Sequence, residues 1–513
     1  MNQYPRPQMK RDSFQSLDGE WILNGSQINV PYPPQAPLSG FEGDKNSTHL
    51  SYYKYFDFFK ENDRAILHFG AVDQVASVSL NGILLGTHEG GYLPFEFDIT
   101  DYVLEGVNEL SVECEDSLDT YYPYGKQTNK PGGMWYTPFS GIWKSVWIEQ
   151  VPERYIKNIK ITPDLKGVTL DVDGDIQRID IDNPHLWTPE DPYLYTRTIM
   201  RGKDKVDIYF ALRTIEIKEI DGINRVCLNG KPIFLHGLLD QGYYIPGICT
   251  ATPEEYEKDI LTIKSLGFNT LRKHIKVEDE CFYYLCDKYG ILVIQDMVNN
   301  GKYKFFKDTL LATLGFNMKD NSGFAEKRKE FWVRHSKETM EHLYNHPCIV
   351  AYTLFNEGWG QFESDAAYTM LKCVDDTRLF DSTSGWFRQN KSDFDSVHIY
   401  FRTVDLYPQE RPLLLSEFGG YSYPVDGHRS TNKSYGYGAC RSKEELTDKM
   451  IKTYEKMVLP AIKSGLCGSI YTQISDVEDE INGLMTYDRE VIKVDEEKLK
   501  DLSLRIYEEI DKI

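Results

Sequence analysis

The sequence predicts a multidomain β plus α/β protein: a jelly roll or β-sandwich over residues 1–151, a short immunoglobulin-like β-sandwich over 152–217 and a (β/α)8 barrel over 218–513. Three observations carry that reading. Short strands of alternating polarity, with turn residues between them, run to residue 151. A smaller stretch of the same rhythm follows, broken by prolines. Beyond it, apolar strands alternate with helical segments, the pattern of a parallel sheet covered by helices.

The first domain opens at Leu17-Asp-Gly-Glu-Trp21, and Ala65 to Gly70 reads as a strand. Ala76 to Gly86 contains Asn81-Gly82, a two-residue hairpin signal. Gly91 to Thr100 and Asn108 to Cys114 continue the alternation, and Ser140 to Glu149 closes the domain. Residues 121–139 form a long loop carrying Tyr121, Tyr122, Tyr124, Trp135 and Tyr136. Two placements are open to it, in a neighbouring cleft or packed on the barrel surface. In the second unit Asn183 to Tyr195 is a connector, and Asp207 to Arg213 is the last strand.

The candidate barrel strands are Pro232 to Gly237, Thr270 to Arg272, Ile291 to Asp296, Cys348 to Asn356, Leu379 to Thr383, Ser396 to Tyr400, Leu413 to Glu417 and Gly468 to Gln473. Eight strands over this span suit a (β/α)8 barrel. A helix begins at Pro253, after Thr252 and with acids in its first turn, and Lys443 to Lys463 reads as one long amphipathic helix. The loop 299–322 is long enough for a lid or a subunit contact, which leaves a homo-oligomer open.

With 41% hydrophobic and 27% charged residues, the composition is that of a soluble globular protein. No apolar run approaches a membrane span, and the first ten residues lack an apolar signal core. A net charge of −21 argues against nucleic acid and anionic membranes as partners. Nine scattered cysteines without a Cys-x-x-Cys pair point to reduced thiols in the cytoplasm, with Cys348 and Cys373 buried inside their elements. No phosphate-cradling glycine loop and no Gly-x-Ser-x-Gly elbow occur, so no cofactor is predicted.

Active sites of such barrels lie at the C-terminal strand ends. Those ends carry His236 and Asp240, Arg272 and His274, Asp296, Asn356 and Glu357, His398 and Tyr400, Glu417, and Tyr471 and Gln473. The stretch Cys348-Ile-Val-Ala-Tyr-Thr-Leu-Phe-Asn-Glu-Gly-Trp-Gly360 organises the set: a buried strand ends on a carboxylate, with Trp359 just beyond. Pro412 to Gly420 repeats the design and ends on Glu417. Burying a carboxylate is costly unless it is paired or used. Two of them delivered to one mouth is what two-carboxylate sugar chemistry requires, with retention at a separation of about 5–5.5 Å and inversion at about 6.5–9.5 Å. Arg272 either holds one carboxylate ionised or bridges strands; Tyr400 either donates to it or packs. His236, His274 and His398 are each open to a core role, and their spacing does not suggest a metal site.

Ser140-Gly-Ile-Trp143, Phe355-Asn-Glu357 and Ser416-Glu-Phe-Gly419, in this three-part order, resemble the family-2 glycoside hydrolases across essentially the whole chain. The resemblance implies a jelly-roll sugar-binding domain, an immunoglobulin-like β-sandwich, a (β/α)8 TIM barrel and a retaining, exo-acting β-glycosidase. By motif, Glu357 is the acid/base and Glu417 the nucleophile, Asn356 bonds the sugar 2-hydroxyl, and Arg272 and Tyr400 support the nucleophile. Asp240, His274, Trp359, His398 and Tyr471 are the further candidate substrate contacts.

The sugar is where this chain departs from the family's patterns. Gly133 precedes Met134-Trp135 where large β-galactosidases have an acid, and Val298-Asn-Asn-Gly-Lys302 replaces their magnesium-binding Glu-x-His, so no metal is predicted. The Asn-x-Lys of β-glucuronidases is missing after the last strand. The acidic loop Ser475 to Asn482 either repels a uronate or forms a solvated rim. The expected partner is an oligosaccharide or glycoside, with β-galactosides first by family frequency. β-Glucuronides, β-galacturonides and β-mannosides are the alternatives, and a catalytically silent carbohydrate-binding protein is the reading from another class.

Overall fold

The computed structural model describes residues 4–304, 308, 320, 325–407 and 409–513. In the first domain a six-stranded and a four-stranded antiparallel sheet enclose a core that includes Trp21, Tyr52, Phe69, Leu110 and Ile148. Asn81 and Gly82 adopt positive φ values of 52° and 77°, and Leu80 pairs with Ile83 across them, the geometry a two-residue hairpin turn needs. The second unit sets a three-stranded sheet (Ile159–Pro163, Gly167–Val172, Asp175–Asp180) against a two-stranded one (Tyr195–Arg201, Asp204–Phe210), around Ile161, Leu170, Val206 and Phe210.

Eight parallel strands then form the barrel: β1 Leu235–Asp240, β2 Thr270–Lys273, β3 Leu292–Asp296, β4 Ile349–Asn356, β5 Leu379–Ser384, β6 Asp395–Ile399, β7 Leu413–Gly419 and β8 Leu466–Thr472. Each pairs with the next in sequence except β5 with β6, and β8 pairs with β1. β5 and β6 are joined by side chains: Ser396 Oγ donates to Asp381 Oδ1 at 2.8 Å. Every residue of β4 is buried, as its continuous apolar run requires. β1 begins later than the sequence suggests, because Lys231–Pro232 pairs with the hairpin strand Ile223–Leu228 beneath the barrel.

The helix after Thr252 carries the full reciprocal cap between Thr252 and Glu255, with Pro253 in its first turn. The segment from Lys443 is helical to Ile462, with a π turn over Tyr454–Val458. Pro460, which has no N–H for the Lys456 carbonyl, lies just beyond that turn. Behind β4 the helix Glu326–Leu343 buries Phe331, Trp332, His335, Thr339, Met340 and Leu343 along one stripe. Trp332 stacks on Phe355 with centroids 4.4 Å apart, which braces the strand end that presents Asn356 and Glu357.

Of the nine cysteines eight are buried, Cys348 among them. Cys373 is exposed, contrary to expectation, because it caps the helix Ser364–Lys372 on its outer side. The loop 299–322 falls largely outside the described residues. No helix among the described residues is long and apolar enough to cross a membrane.

The loop 121–139 packs on the barrel mouth. Tyr124 N–H donates to Asn299 O at 3.1 Å and its hydroxyl to Gly301 O at 2.9 Å. Trp135 lies edge-on to Trp359, with ring centroids 5.0 Å apart. Tyr136 donates to Glu480 in the loop after β8.

Candidate active site

Local backbone geometry aims both glutamates inward. Glu357 follows β4 in the left-handed region (φ 51°), and its N–H donates to Ser384 O at the end of β5, 2.9 Å away. Such a conformation is uncommon for a non-glycine residue and concentrates at functional sites. The next residue must be glycine: a Cβ on Gly358 (φ 73°) would lie 2.4 Å from the Phe387 ring. On β7, Val397 of β6 faces Leu415 while His398 faces Glu417, so β7 carries one extra residue. That bulge turns Ser416 Oγ toward Ser384 Oγ, 2.9 Å away, while Glu417 still reaches the mouth.

Carboxylate oxygens of Glu357 and Glu417 and a ring nitrogen of His398 all lie within 4.8 Å of one another. His398 Nδ1 is 2.7 Å from Glu357 Oε1 and 3.6 Å from Glu417 Oε2. Beneath them the buried Arg272 spends its guanidinium on four acceptors: Asp296 Oδ1 at 3.0 Å, Ser416 O at 3.0 Å, Glu417 Oε1 at 3.1 Å and Asn356 Oδ1 at 2.9 Å. His274 Nδ1 meets the other Asp296 oxygen at 2.7 Å. Tyr400 donates to Glu417 Oε2 at 2.6 Å and also contacts Thr472 Oγ1 at 3.0 Å.

Burial alone would raise the Glu417 carboxyl. The charges of His398, Arg272 and His274 and the Tyr400 hydrogen bond outweigh it, and Glu417 is held well below the usual carboxylate range. The stability this contributes is present above the unfolded carboxylate value of about 4.3 and is lost only as pH falls through the lower folded value. Tyr400→Phe removes one of the opposing terms, so the Glu417 pKa rises. If Glu417 must be ionised to react, the acid limb of kcat/KM moves to higher pH and kcat falls about 10- to 100-fold, for a hydrogen bond to charge of about 1.5–3 kcal/mol. A pH–rate profile of Tyr400→Phe with unchanged acid limb would refute that link.

The sequence-predicted residues divide. Glu357, Glu417, Asn356, Arg272, His274, His398 and Tyr400 converge on one network. Trp359 stands beside it as part of an aromatic wall, with Nε1 donating to Gly301 O at 2.8 Å and its ring against Tyr124 and Trp135. Asp240 does not join. It binds Lys273 Nζ at 2.6 Å behind the barrel wall, where Lys273 also meets Glu278 at 2.9 Å and lies over the Phe282 ring. Tyr471 also faces outward, against Phe418 and the Tyr421 N–H. Its neighbour Thr472 takes the inward position, as strand alternation dictates. His236 is a core residue stacked on Phe268, with Nε2 3.1 Å from Ser503 Oγ.

The acidic loop after β8 is not a solvated rim. Asp476 is buried against Lys493 Nζ at 2.6 Å, and Glu480 accepts from Tyr136 and from Asn482 Nδ2 at 3.0 Å. Burial raises the Glu480 carboxyl, and the charge of Glu417 adds to the rise; Tyr136, Lys126 and Asn482 oppose it. Sequence reasoning also missed Tyr437, whose ring stacks on Tyr400 at 3.8 Å, and Ser384. The one signal for Ser384 is its place at the end of a barrel strand; Tyr437 lies in a loop with no pattern.

Glu357, His398 and Glu417 are also the one group among the described residues with three ligand-type atoms close enough to share a cation. The Arg272 guanidinium, 3.1 Å from Glu417, already supplies positive charge there and disfavours a second cation.

A parallel barrel with a close glutamate pair at the ends of β4 and β7, behind two all-β domains, has the architecture of a two-carboxylate glycosidase. The chain belongs to family 2 of the glycosyl hydrolases: that family's TIM barrel domain matches residues 219–491, its galactose-binding domain-like unit 44–138, and a further family-2 domain 155–213. It is similar to the β-galactosidase of Thermoanaerobacter pseudethanolicus, 26% identical over 83% of this chain and 63% of that protein. The β-galactosidase of Priestia megaterium is 24% identical over 80% of this chain and 44% of its own length. The chain thus spans less than two thirds of these relatives. Among solved structures it resembles a β-glucuronidase from Ruminococcus gnavus (TM-score 0.76, 18% identity, 98% of this chain and 99% of that one). It also resembles a β-galacturonidase from Eisenbergiella tayi (TM-score 0.71, 18% identity, 97% and 98%). These two likenesses concern the fold.

Proposed function

We propose that this protein hydrolyses terminal β-linked glycosides with retention of configuration, with β-galactosides as its substrates. The observation that carries the reaction is the pair of glutamate oxygens within 4.8 Å of each other, on the side of the about 5–5.5 Å of a retaining pair and short of the about 6.5–9.5 Å of an inverting one. In the first step Glu357 gives its proton to the glycosidic oxygen while Glu417 attacks the anomeric carbon. The bond to the leaving group breaks, its electron pair takes that proton, and a glycosyl ester forms on Glu417. In the second step Glu357, now a carboxylate, takes a proton from water as the water oxygen attacks the same carbon and Glu417 departs. Arg272, His398, His274 and Tyr400 keep Glu417 ionised for the first step and make it a good leaving group in the second.

Names and charge support this choice of sugar. The curated relatives above are β-galactosidases. A uronate would bring another anion toward Glu417 and Glu480, whose charges already act on each other. A second reading, uronide hydrolysis, is favoured by Lys126, whose charge reaches both His274 and Glu480 from the first domain. Nine scattered cysteines without a Cys-x-x-Cys pair support a reducing compartment, the cytoplasm. The test is a panel of nitrophenyl β-galactoside, glucoside, mannoside, glucuronide and galacturonide, with the first-formed product followed by proton NMR. The β-galactoside is expected to have the highest kcat/KM and to release the β-anomer first. A uronide in first place selects the second reading, an α-anomer refutes retention, and binding without turnover on the whole panel makes the protein a carbohydrate binder.

A further inference from the structure

His398 touches Glu357 and Glu417 with one nitrogen and a serine with the other, and hydrogen-bond direction can be assigned from the far end of that contact. The Val397 carbonyl only accepts, so Ser416 Oγ, 3.4 Å away, donates to it. Ser416 then accepts from Ser384 Oγ at 2.9 Å. With its single hydrogen so used, Ser384 can only accept from His398 Nε2, 3.0 Å away. With a hydrogen fixed on Nε2, the other ring nitrogen, Nδ1, lies 2.7 Å from Glu357 Oε1. Two acceptors do not approach so closely without a hydrogen between them. One hydrogen beyond that on Nε2 is therefore shared between His398 Nδ1 and the Glu357 carboxyl.

We propose that Ser384 and Ser416 are positioning residues that fix a hydrogen on His398 Nε2, so that Nδ1 and Glu357 hold between them the proton Glu357 delivers to the leaving oxygen. The inference rests on Glu357 being the acid/base. Without the hydrogen on Nε2, the ring's one hydrogen would sit on Nδ1, donate to Glu357 and stabilise it as a carboxylate, the wrong form for the first step. Proton accounting closes over the cycle. Glu357 loses its proton to the leaving group and regains one from water, while His398 keeps its Nε2 hydrogen throughout.

The ring has little freedom to escape this arrangement. A Cβ on Gly385 (φ 101°) would lie 3.2 Å from Nδ1, and the Trp386 ring stands edge-on at 5.6 Å. The ionisable groups around it are Glu357, Glu417 with its partners Arg272 and Tyr400, and Asp381 on β5. All but Arg272 and Tyr400 are acids, so the surroundings attract a proton to this corner, and the serine pair keeps the other hydrogen on Nε2.

Ser384→Ala removes the acceptor on Nε2. The expected result is a fall of about 10-fold or more in kcat/KM for phenyl β-glycosides, whose leaving group needs the proton, against a much smaller fall for dinitrophenyl β-glycosides, which do not. The basic limb of the phenyl profile moves to lower pH, because the carboxylate form of Glu357 is favoured. Ser384→Thr, which keeps a hydroxyl, restores both. Ser416→Ala leaves His398 untouched but frees the Ser384 hydrogen to turn toward Nε2, and is expected to change the same two readouts in the same direction. Equal losses for both leaving groups with an unmoved basic limb overturn the proposal; if Ser384→Ala lowers Tm, Ser416→Ala decides by the same measurements. Failure of the acid/base assignment has a separate signature, a Glu357→Ala variant whose loss does not depend on the leaving group.

Discussion

Glu417→Gln is expected to abolish turnover, with kcat reduced about 10^4- to 10^6-fold, the range seen when a covalent nucleophile is removed from a site that otherwise stays assembled. The amide has no charge to donate to the anomeric carbon, and the Arg272 guanidinium loses its anionic partner at 3.1 Å. Nothing else in the network can substitute. Asp296 is bound on both oxygens by Arg272 and His274, and Glu357 already contacts His398. A slow fluorinated dinitrophenyl glycoside should add the mass of one glycosyl unit to the wild-type chain and none to the variant, as read by intact-protein mass spectrometry and located to the peptide holding Glu417. Labelling of the variant, or activity within 100-fold of wild type, would show that the attacking group lies elsewhere.

Glu357→Ala should give a different pattern. Loss of a general acid and base costs about 10^2- to 10^4-fold, and the cost falls on whichever step needs the proton. Phenyl glycosides, with a poor leaving group, are expected to lose rate at the first step. Dinitrophenyl glycosides should still form the ester quickly and then stall, because no base activates water; their KM falls with kcat as the intermediate accumulates. The truncated side chain leaves room beside His398 for a small anion, so azide should restore turnover and yield the β-glycosyl azide. Rescue in Glu417→Ala rather than in Glu357→Ala would exchange the two roles.

How far these residues could be read from the sequence depended on what kind of signal each carried. Barrel strands β4 and β7 were legible because each opens as an apolar run with no competing periodicity, and Glu357 and Glu417 because a carboxylate closing such a run is anomalous. Arg272 was visible for the same reason. Side-chain direction was not. Asp240, Tyr471 and His236 sit at strand ends as Arg272 and Glu417 do, yet alternation turns them to the outer face. On β7 the extra residue breaks alternation, so counting in steps of two could not show that Ser416 reaches across to β5. The loop of Glu480 was left open between two readings for a third reason. That acidic loop resembles solvated surface until the first domain's Tyr136, 344 residues away in sequence, supplies a hydroxyl to one Glu480 oxygen.

The lodging of residues 121–139 against the barrel has a bearing on how such chains can be recombined. Tyr124, Trp135 and Tyr136 each engage a barrel loop, after β3, β4 and β8 respectively. A chimera that joined this barrel to the first domain of a relative would exchange those aromatic side chains while leaving their partners behind. A cut near residue 217 would fall inside the strand Ile215–Ile220 and divide a core that the barrel shares with Tyr92, Tyr136 and Trp143 of the first domain; parental selectivity should follow the segment that carries Trp135 and Tyr136, transplanted together with its receiving loops.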